Sequence, residues 1–503
     1  MEIELKLLLA AQDANHLRRH PLLKAYATAQ PRQQTLSDTY FDTPELHLRQ
    51  RDADLRVRRV DKVWVETMHG GAGGREWHAP LAGPAPDLAA LRDIVASKSA
   101  SGKLLRSPSL EERLMPVFTA RVRRSVWALR LPQGDEIECV LERGKIECDG
   151  RQVPISEMEL ELKSGEPAHL FDFALALQQD IPLQIGHLSQ ADRGYALLAP
   201  QPPAAVKASA LKLSPHLSIE QAFQAIAINC IAHIQANQAA VALAHDVEGV
   251  HQMRVGLRRL RCALGLFKDV LQAPEDLQQE LDWLADQLGA ARDWDVLATA
   301  TLPALAAAAP GGPRLAELGL AARARADDKH QAAALAVASA RHARLILTLT
   351  RWVLGCGWRE AILMRDAPRL AAPLRAFARK MLAQRQRRLL GRGRHLRGAG
   401  PQARHRIRIA AKKMRYASEF FQSLYAPARL RPYVAALSAL QDELGWRNDA
   451  AVAADLLQQL QDGQAELDGS AGFARGYLLA RETGANRKLH RLWQGYAALK
   501  LPH

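Results

Sequence analysis

The 503-residue chain has five cysteines, at 139, 148, 230, 262 and 356, and no CxxC pair. An odd, scattered set argues against a disulfide framework and for a reducing, cytoplasmic setting. No uninterrupted apolar run reaches the roughly 18 residues of a membrane span. The opening MEIELKLLLA sets acids among its apolar residues, which a signal peptide does not. Aromatic residues make up only 5% of the chain and are few in its basic segments. That argues against single-stranded nucleic acid held by base stacking. Acid is missing altogether from Ala367 to Ser418, where Arg and Lys recur.

What is present is distributed unevenly. Residues 1–200 hold 26 of the 68 basic and 28 of the 53 acidic residues, a net of −2. The remainder holds 42 basic and 25 acidic, a net of +17. A balanced first part joined to a strongly basic second part suggests that the second meets an anion.

Texture changes at the same place. Up to about residue 195, EIELKL, DLRVRRV, VWVETM, SVWALRL and EMELELK alternate with period two, predicting strands. Helical stretches are expected near 11–25 and 166–180. A Pro/Ala/Ser-rich linker over 201–217 follows, and from 218 to 503 Ala, Leu, Arg and Gln recur at helical spacing. The expected domains are therefore 1–200 and 218–503, with loops at 309–313 and 391–401.

The helical part repeats. HQMRVGLRRLRCALGLF (251–267) matches HRIRIAAKKMRYASEFF (405–421) at an offset of 154. LGAARDWDVLA (288–298) matches LGWRNDAAVAA (444–454) at 156. Nearly equal offsets point to a duplicated bundle, divided near 365/366, and each unit has four-helix size. At 100° per residue, His251, Arg254, Arg258 and Arg261 form one column beside the apolar Met253, Leu257 and Leu260. His405, Arg408, Lys412 and Arg415 repeat it, with Arg259 and Lys413 to one side. Like charges at this spacing repel by a few tenths of a kcal/mol. A ligand with a phosphate every few ångströms would relieve that and release counterions.

The first part gathers acids instead. Glu2, Glu4 and Lys6 share one strand face, as do Glu157, Glu159 and Glu161, and Glu136 and Glu138 lie in a third strand. Acids on neighbouring strands repel unless a cation sits among them, and Mg2+ or Mn2+ takes carboxylate oxygens.

Two family resemblances follow. The ExExK start, LRVR, ELELK, and then YFDTPELHLRQRDADLRVRR (40–59), Arg75-Glu76-Trp77, FTARVRRSVW (118–127) and LSQADRGY (188–195) resemble the CYTH family of triphosphate tunnel metalloenzymes. The resemblance implies a closed antiparallel β tunnel hydrolysing inorganic triphosphate with Mg2+ or Mn2+. It implies Glu2, Glu4, Glu138, Glu159 and Glu161 as metal ligands, with Glu2, Glu4 and Lys6 at the catalytic centre. Lys6, Arg56, Arg58, His69, Glu76, Arg124 and Arg193 become substrate contacts. The helical part resembles the CHAD family, two four-helix bundles that bind inorganic polyphosphate. The residues so implied are His251, Arg254, Arg258, Arg259, Arg261, His405, Arg408, Lys412, Lys413 and Arg415. Association with polyphosphate granules would follow. The fold class expected is thus a multidomain α+β chain.

The sequence departs from the tunnel family at His69 and Gln190, where lysines are usual. Losing charge-assisted contacts of roughly 1.5–3 kcal/mol each would weaken binding. A polyphosphate-binding protein with a silent tunnel is the alternative. Adenylate cyclase and thiamine triphosphatase chemistries find nothing in the sequence to read a base or a thiazole ring.

Overall fold

The computed structural model describes residues 3–60, 63–70, 75–107, 110–309, 315–361, 367–484 and 486–501. Two compact units divide at Pro202/Pro203.

The first unit is one antiparallel sheet. Its strands are β1 (Ile3–Leu8), β2 (Arg32–Asp42), β3 (Ala53–Val60), β4 (Val63–Gly70), β5 (Arg75–Leu81), β6 (Met115–Arg130), β7 (Glu136–Cys148), β8 (Arg151–Ser164) and β9 (Gln184–Ile185). They are ordered β5-β4-β3-β2-β6-β7-β8-β1-β9. The two ends, β5 and β9, are not paired in that order, so the hydrogen-bonded tunnel is not closed among the described residues. It is curled, since Glu4 of β1 and Glu76 of β5 line one cavity.

Alternation decides the faces. In β1, Leu5 and Leu7 are buried beneath the sheet while Glu4 and Lys6 point the other way. Under the outer face pack α1 (Ala14–Arg18), α2 (Pro21–Tyr26), α3 (Leu88–Ile94), α4 (Ala100–Leu105), α5 (Leu110–Arg113) and α6 (Pro167–Leu177). The helix expected over 11–25 is thus two short ones, broken at His20 before Pro21. The period-two reading of 82–114 missed α3 to α5, whose Leu88, Leu91, Leu104, Leu105 and Leu110 cover β3, β4 and β5. A last helix, α7 (Gln190–Leu198), begins in a capping box, with Ser189 and Asp192 satisfying each other's backbone N–H.

The second unit is all helix: α8 (Ile219–Ala236), α9 (Gln238–Ala242), α10 (Val247–Phe267), α11 (Glu275–Val296), α12 (Leu302–Ala308), α13 (Leu315–Val337), α14 (Ala340–Leu354), α15 (Ala367–Ala371), α16 (Leu374–Gly393), α17 (Pro401–Phe420), α18 (Pro427–Gly463), α19 (Asp468–Gly484) and α20 (Asn486–Ala497). In the first half α10 packs on α8 and α11, and α11 on α13. In the second α17 packs on α16 and α18, and α18 on α19 and α20. The halves meet through α10 against α17 and α11 against α18. Ahead of α8, residues 203–217 carry no helix or strand but are held to the unit. The buried Asn237 side chain exchanges two 2.9 Å bonds with the backbone of Val206, and Ser423 accepts from the Leu213 N–H at 2.9 Å.

No single described helix is long and apolar enough to cross a membrane. The bent pair α13 and α14 meets that length and composition test only jointly, and Leu345, Ile346, Leu347 and Leu349 of α14 are buried in the protein.

Candidate functional site

Register turns the alternating acids into rungs. Lys6 lies opposite Glu159, Glu4 opposite Glu161, and Glu161 opposite Glu138. The next rungs place Glu157 against Glu142 and Glu142 against Arg124. On the other side of the curl, Arg58 faces Asp38, Arg56 faces Tyr40, and Asp54, His69 and Glu76 form a rung of their own. These faces enclose a cavity of about 460 Å3, within the usual range for ligand sites.

Of the residues the sequence singled out, Glu4, Lys6, Arg56, Arg58, His69, Glu76, Arg124, Glu138, Glu159 and Glu161 all line it. Arg193 stands behind, paired with the fully buried Glu157. Glu2 lies outside the described residues. The sequence reading missed Tyr40, Asp54, His78 and Glu142. For Glu142 a signal was available, since Glu138, Val140 and Glu142 share one strand face.

Each cation is held by an acid. Lys6 Nζ is 2.8 Å from Glu159 and 3.6 Å from Glu157. Arg58 donates two bonds, of 2.8 and 2.6 Å, to the buried Asp38. Arg56 is 3.7 Å from Glu76, and Arg124 Nε is 3.7 Å from Glu142. Gln190 Nε2 donates to Glu142 at 2.6 Å and to Glu157 at 3.1 Å. A neutral amide therefore bridges the two carboxylates.

Burial and mutual repulsion both act on the acids. Burial, and then Glu159, push the Glu4 carboxyl above its ordinary range, and the same two causes raise Glu142. Burial alone would lower the Lys6 ammonium, yet Glu159 and Glu157 more than offset it and raise the pKa. The hydrogen bond to Asp54, 3.1 Å long, raises the pKa of His69.

Oxygen donors that raise one another's pKa suit a hard cation in kind. Among the described residues, however, no three acidic, His or Cys side chains are gathered as a ready metal cluster. Lys6 spans Glu159, and Lys163 lies 2.5 Å from Glu161 and 3.9 Å from Glu138.

In the helical unit the two predicted columns meet where α10 crosses α17. Arg254, Arg258, Arg408 and Lys412 act on one another there. Equivalent contacts recur in the two copies. Arg254 reaches Asp293 at 3.3 Å, while Arg408 reaches Asp449 at 3.8 Å. Arg292 acts on His251, and Asn448, the matching residue of the second copy, lies 2.9 Å from His405. Arg292 was missed because its counterpart is uncharged. Burial, then Arg408 and Arg258, lower the Lys412 ammonium to about 7, and burial likewise lowers Arg254 and Arg408.

Four predicted cations stand elsewhere. Arg259 is buried, donates to Asn229 at 2.7 Å and lies 5.6 Å from the Phe420 ring. Arg261 pairs with Asp282. Arg415 lies 3.5 Å from Glu419 and over Tyr416. Lys413 joins Arg385, Arg388 and Arg392.

A curled sheet with a two-signed cavity and a duplicated helical unit with a cationic centre define a two-module protein. The chain belongs to the proteins that join a CYTH domain, matched over 1–195, to a CHAD domain, matched over 225–458. The CHAD domain of the plant Ricinus communis is 42% identical, covers 60% of this chain and 99% of that one, and superposes with a TM-score of 0.54. An inorganic triphosphatase of Haemophilus influenzae is 31% identical over 204 residues, 39% of this chain and 54% of that protein. The chain thus spans about half the length of this curated relative. A Hippeastrum adenylyl cyclase candidate with a dominant triphosphatase activity is 21% identical, covering 40% of this chain and 98% of that one at a TM-score of 0.27.

Proposed function

We propose that the CYTH cavity hydrolyses inorganic triphosphate to diphosphate and phosphate with Mg2+ or Mn2+, and that the CHAD unit binds inorganic polyphosphate. One observation carries the first part. Among its described lining residues the cavity sets seven carboxylates, Glu4, Asp54, Glu76, Glu138, Glu142, Glu159 and Glu161, against four permanent cations, Lys6, Arg56, Arg58 and Arg124. With three negative charges in excess, it admits a polyanion only together with cations.

Glu4, Glu159 and Glu161, with Glu138 beside them and Glu2 as a further candidate, are the donors for such an ion. When bound, the ion offsets phosphate charge and favours attack by water. The chain's own residues bind and orient. Arg58, fixed on Asp38 through two nitrogens, keeps its remaining edge for a phosphate oxygen. Arg56, Arg124 and Lys6 supply further donors, and donors already fixed need little reorganisation as charge develops. For the CHAD unit the support is its repeated, partly desolvated cationic centre, where Arg can grip phosphate bidentately.

A second reading, a polyphosphate binder with a silent tunnel, draws on Lys6 and Lys163 already spanning the acids. Phosphate release from tripolyphosphate, ATP and long polyphosphate, each with Mg2+ or Mn2+, separates the two. Tripolyphosphate should be the preferred substrate, EDTA should abolish release, and Glu159→Gln should lower it about 100-fold, the scale of losing one transition-state contact. No release from tripolyphosphate at any pH with either metal would leave only the binder.

A further inference from the structure

The symmetric cationic centre has an asymmetric edge. Beside it lies a cavity of about 190 Å3 between the Leu297–Thr301 turn, α18 and α19, lined by Thr301, Leu305, Trp446, Asp449, Tyr477 and Arg481 among others. The turn is π-helical, with the Leu302 N–H reaching back to Leu297 O, a widened geometry common at functional sites. Trp446 and Tyr477 are half-buried, and the exposed Arg481 stacks 5.0 Å from the Trp446 ring centroid. Asp449 belongs both to this cavity and to the centre, through its 3.8 Å contact with Arg408.

Between the repeats, Trp446 corresponds to Ala290 (LGAARD against LGWRND). Arg254 and Arg258 are matched by Arg408 and Lys412, whereas Arg292 stands in the first copy only and Trp446 in the second only. Two like halves suit a ligand with like ends, such as a bare phosphate chain. An aromatic on one side suits a ligand carrying a flat ring at one end.

We propose that this cavity is a nucleobase subsite, so that the CHAD unit takes nucleoside polyphosphates with the phosphates on Arg408 and Lys412 and the base against Trp446, Tyr477 and Arg481. Asp449, an acceptor at the junction, is placed to receive an exocyclic amino group of the base. The inference rests on the reading of the cationic centre as a phosphate site.

Calorimetric titration of the full chain with ATP and with tripolyphosphate, in EDTA so that neither is consumed, tests it. Wild type should bind ATP more tightly than tripolyphosphate. Trp446→Ala should weaken ATP about tenfold, within the range of base–aromatic stacking, and leave tripolyphosphate within twofold. Arg481→Ala, at the exposed rim, should act in the same direction, and Trp446→Phe should retain most of the ATP affinity. Lys412→Ala should weaken both ligands. Equal loss of both ligands on Trp446→Ala, or no loss of ATP in either the Trp446 or the Arg481 variant, would overturn the subsite. Lys412→Ala affecting neither ligand would overturn the phosphate reading beneath it.

Discussion

At residue scale, Lys412 is a half-buried cation held among other cations. Its ammonium is desolvated among Arg408, Arg258 and Arg254, so it loses its proton near pH 7, far below its ordinary value. In the unfolded chain it stays charged up to about pH 10.5. Between those values the unfolded state binds the extra proton, so Lys412 burdens folding at and below pH 7 and stops doing so as pH rises. Lys412→Met should therefore raise the melting temperature at pH 6 by roughly 2–4 °C, the scale of about 1 kcal/mol in a unit this large. The gain should vanish towards pH 10.5. A gain that is flat across that range, read by scanning calorimetry, would place the strain elsewhere. A bound polyanion reverses the balance, and polyphosphate affinity should fall as pH climbs past 7.

At the scale of elements, α7 decides how the cavity's back wall is set. Gln190 and Arg193 both leave its first turns to hold Glu142 and Glu157. The helix is seated from outside the cavity. Tyr195 donates to the buried Asp42 at 3.0 Å, and Asp42 also accepts from the N–H groups of Thr43, Leu48 and Arg49. The motifs YFDT and RGY are therefore one structural joint. Gly194 lets the helix lie on Phe118, where a Cβ would come within 2.1 Å of the ring. Gly194→Ala should cost about 1–3 kcal/mol, typical of overpacking, and lower triphosphatase turnover by displacing Gln190 and Arg193. Unchanged melting temperature and turnover would show that α7 is not seated this way. This joint was visible in sequence only as family landmarks, because pairing between residues some 150 apart depends on sheet order. The rungs of acids were half legible. Alternation put Glu4 and Lys6 on one face, but only the register sets Lys6 on Glu159 and brings Glu142 into the site.

At the scale of the whole molecule, the uneven charge of the chain corresponds to two differently charged sites. The two proposed activities should dissociate by mutation. Glu159→Gln should lower phosphate release about 100-fold and leave polyphosphate binding intact. Arg254→Ala with Lys412→Ala should weaken polyphosphate binding and flatten its salt dependence by about 2 in the log–log slope, with tripolyphosphate turnover preserved. Loss of both functions in either variant would contradict separate sites. The bundle duplication was readable because two blocks kept one offset. The burial of Arg259 was not, since a helical wheel places a charge beside the core stripe but cannot show that Asn229 and Phe420 wait there to receive it.

The duplicated cationic centre presents similar cations from both copies. A linear polymer laid across α10 and α17 would meet a like run of cations from either end, Arg254 and Arg258 or Arg408 and Lys412, so its capture would need little choice of direction. On the proposed reading, such a surface would count phosphates without reading polarity. Trp446, present once, would be the mark that tells one end of a ligand from the other.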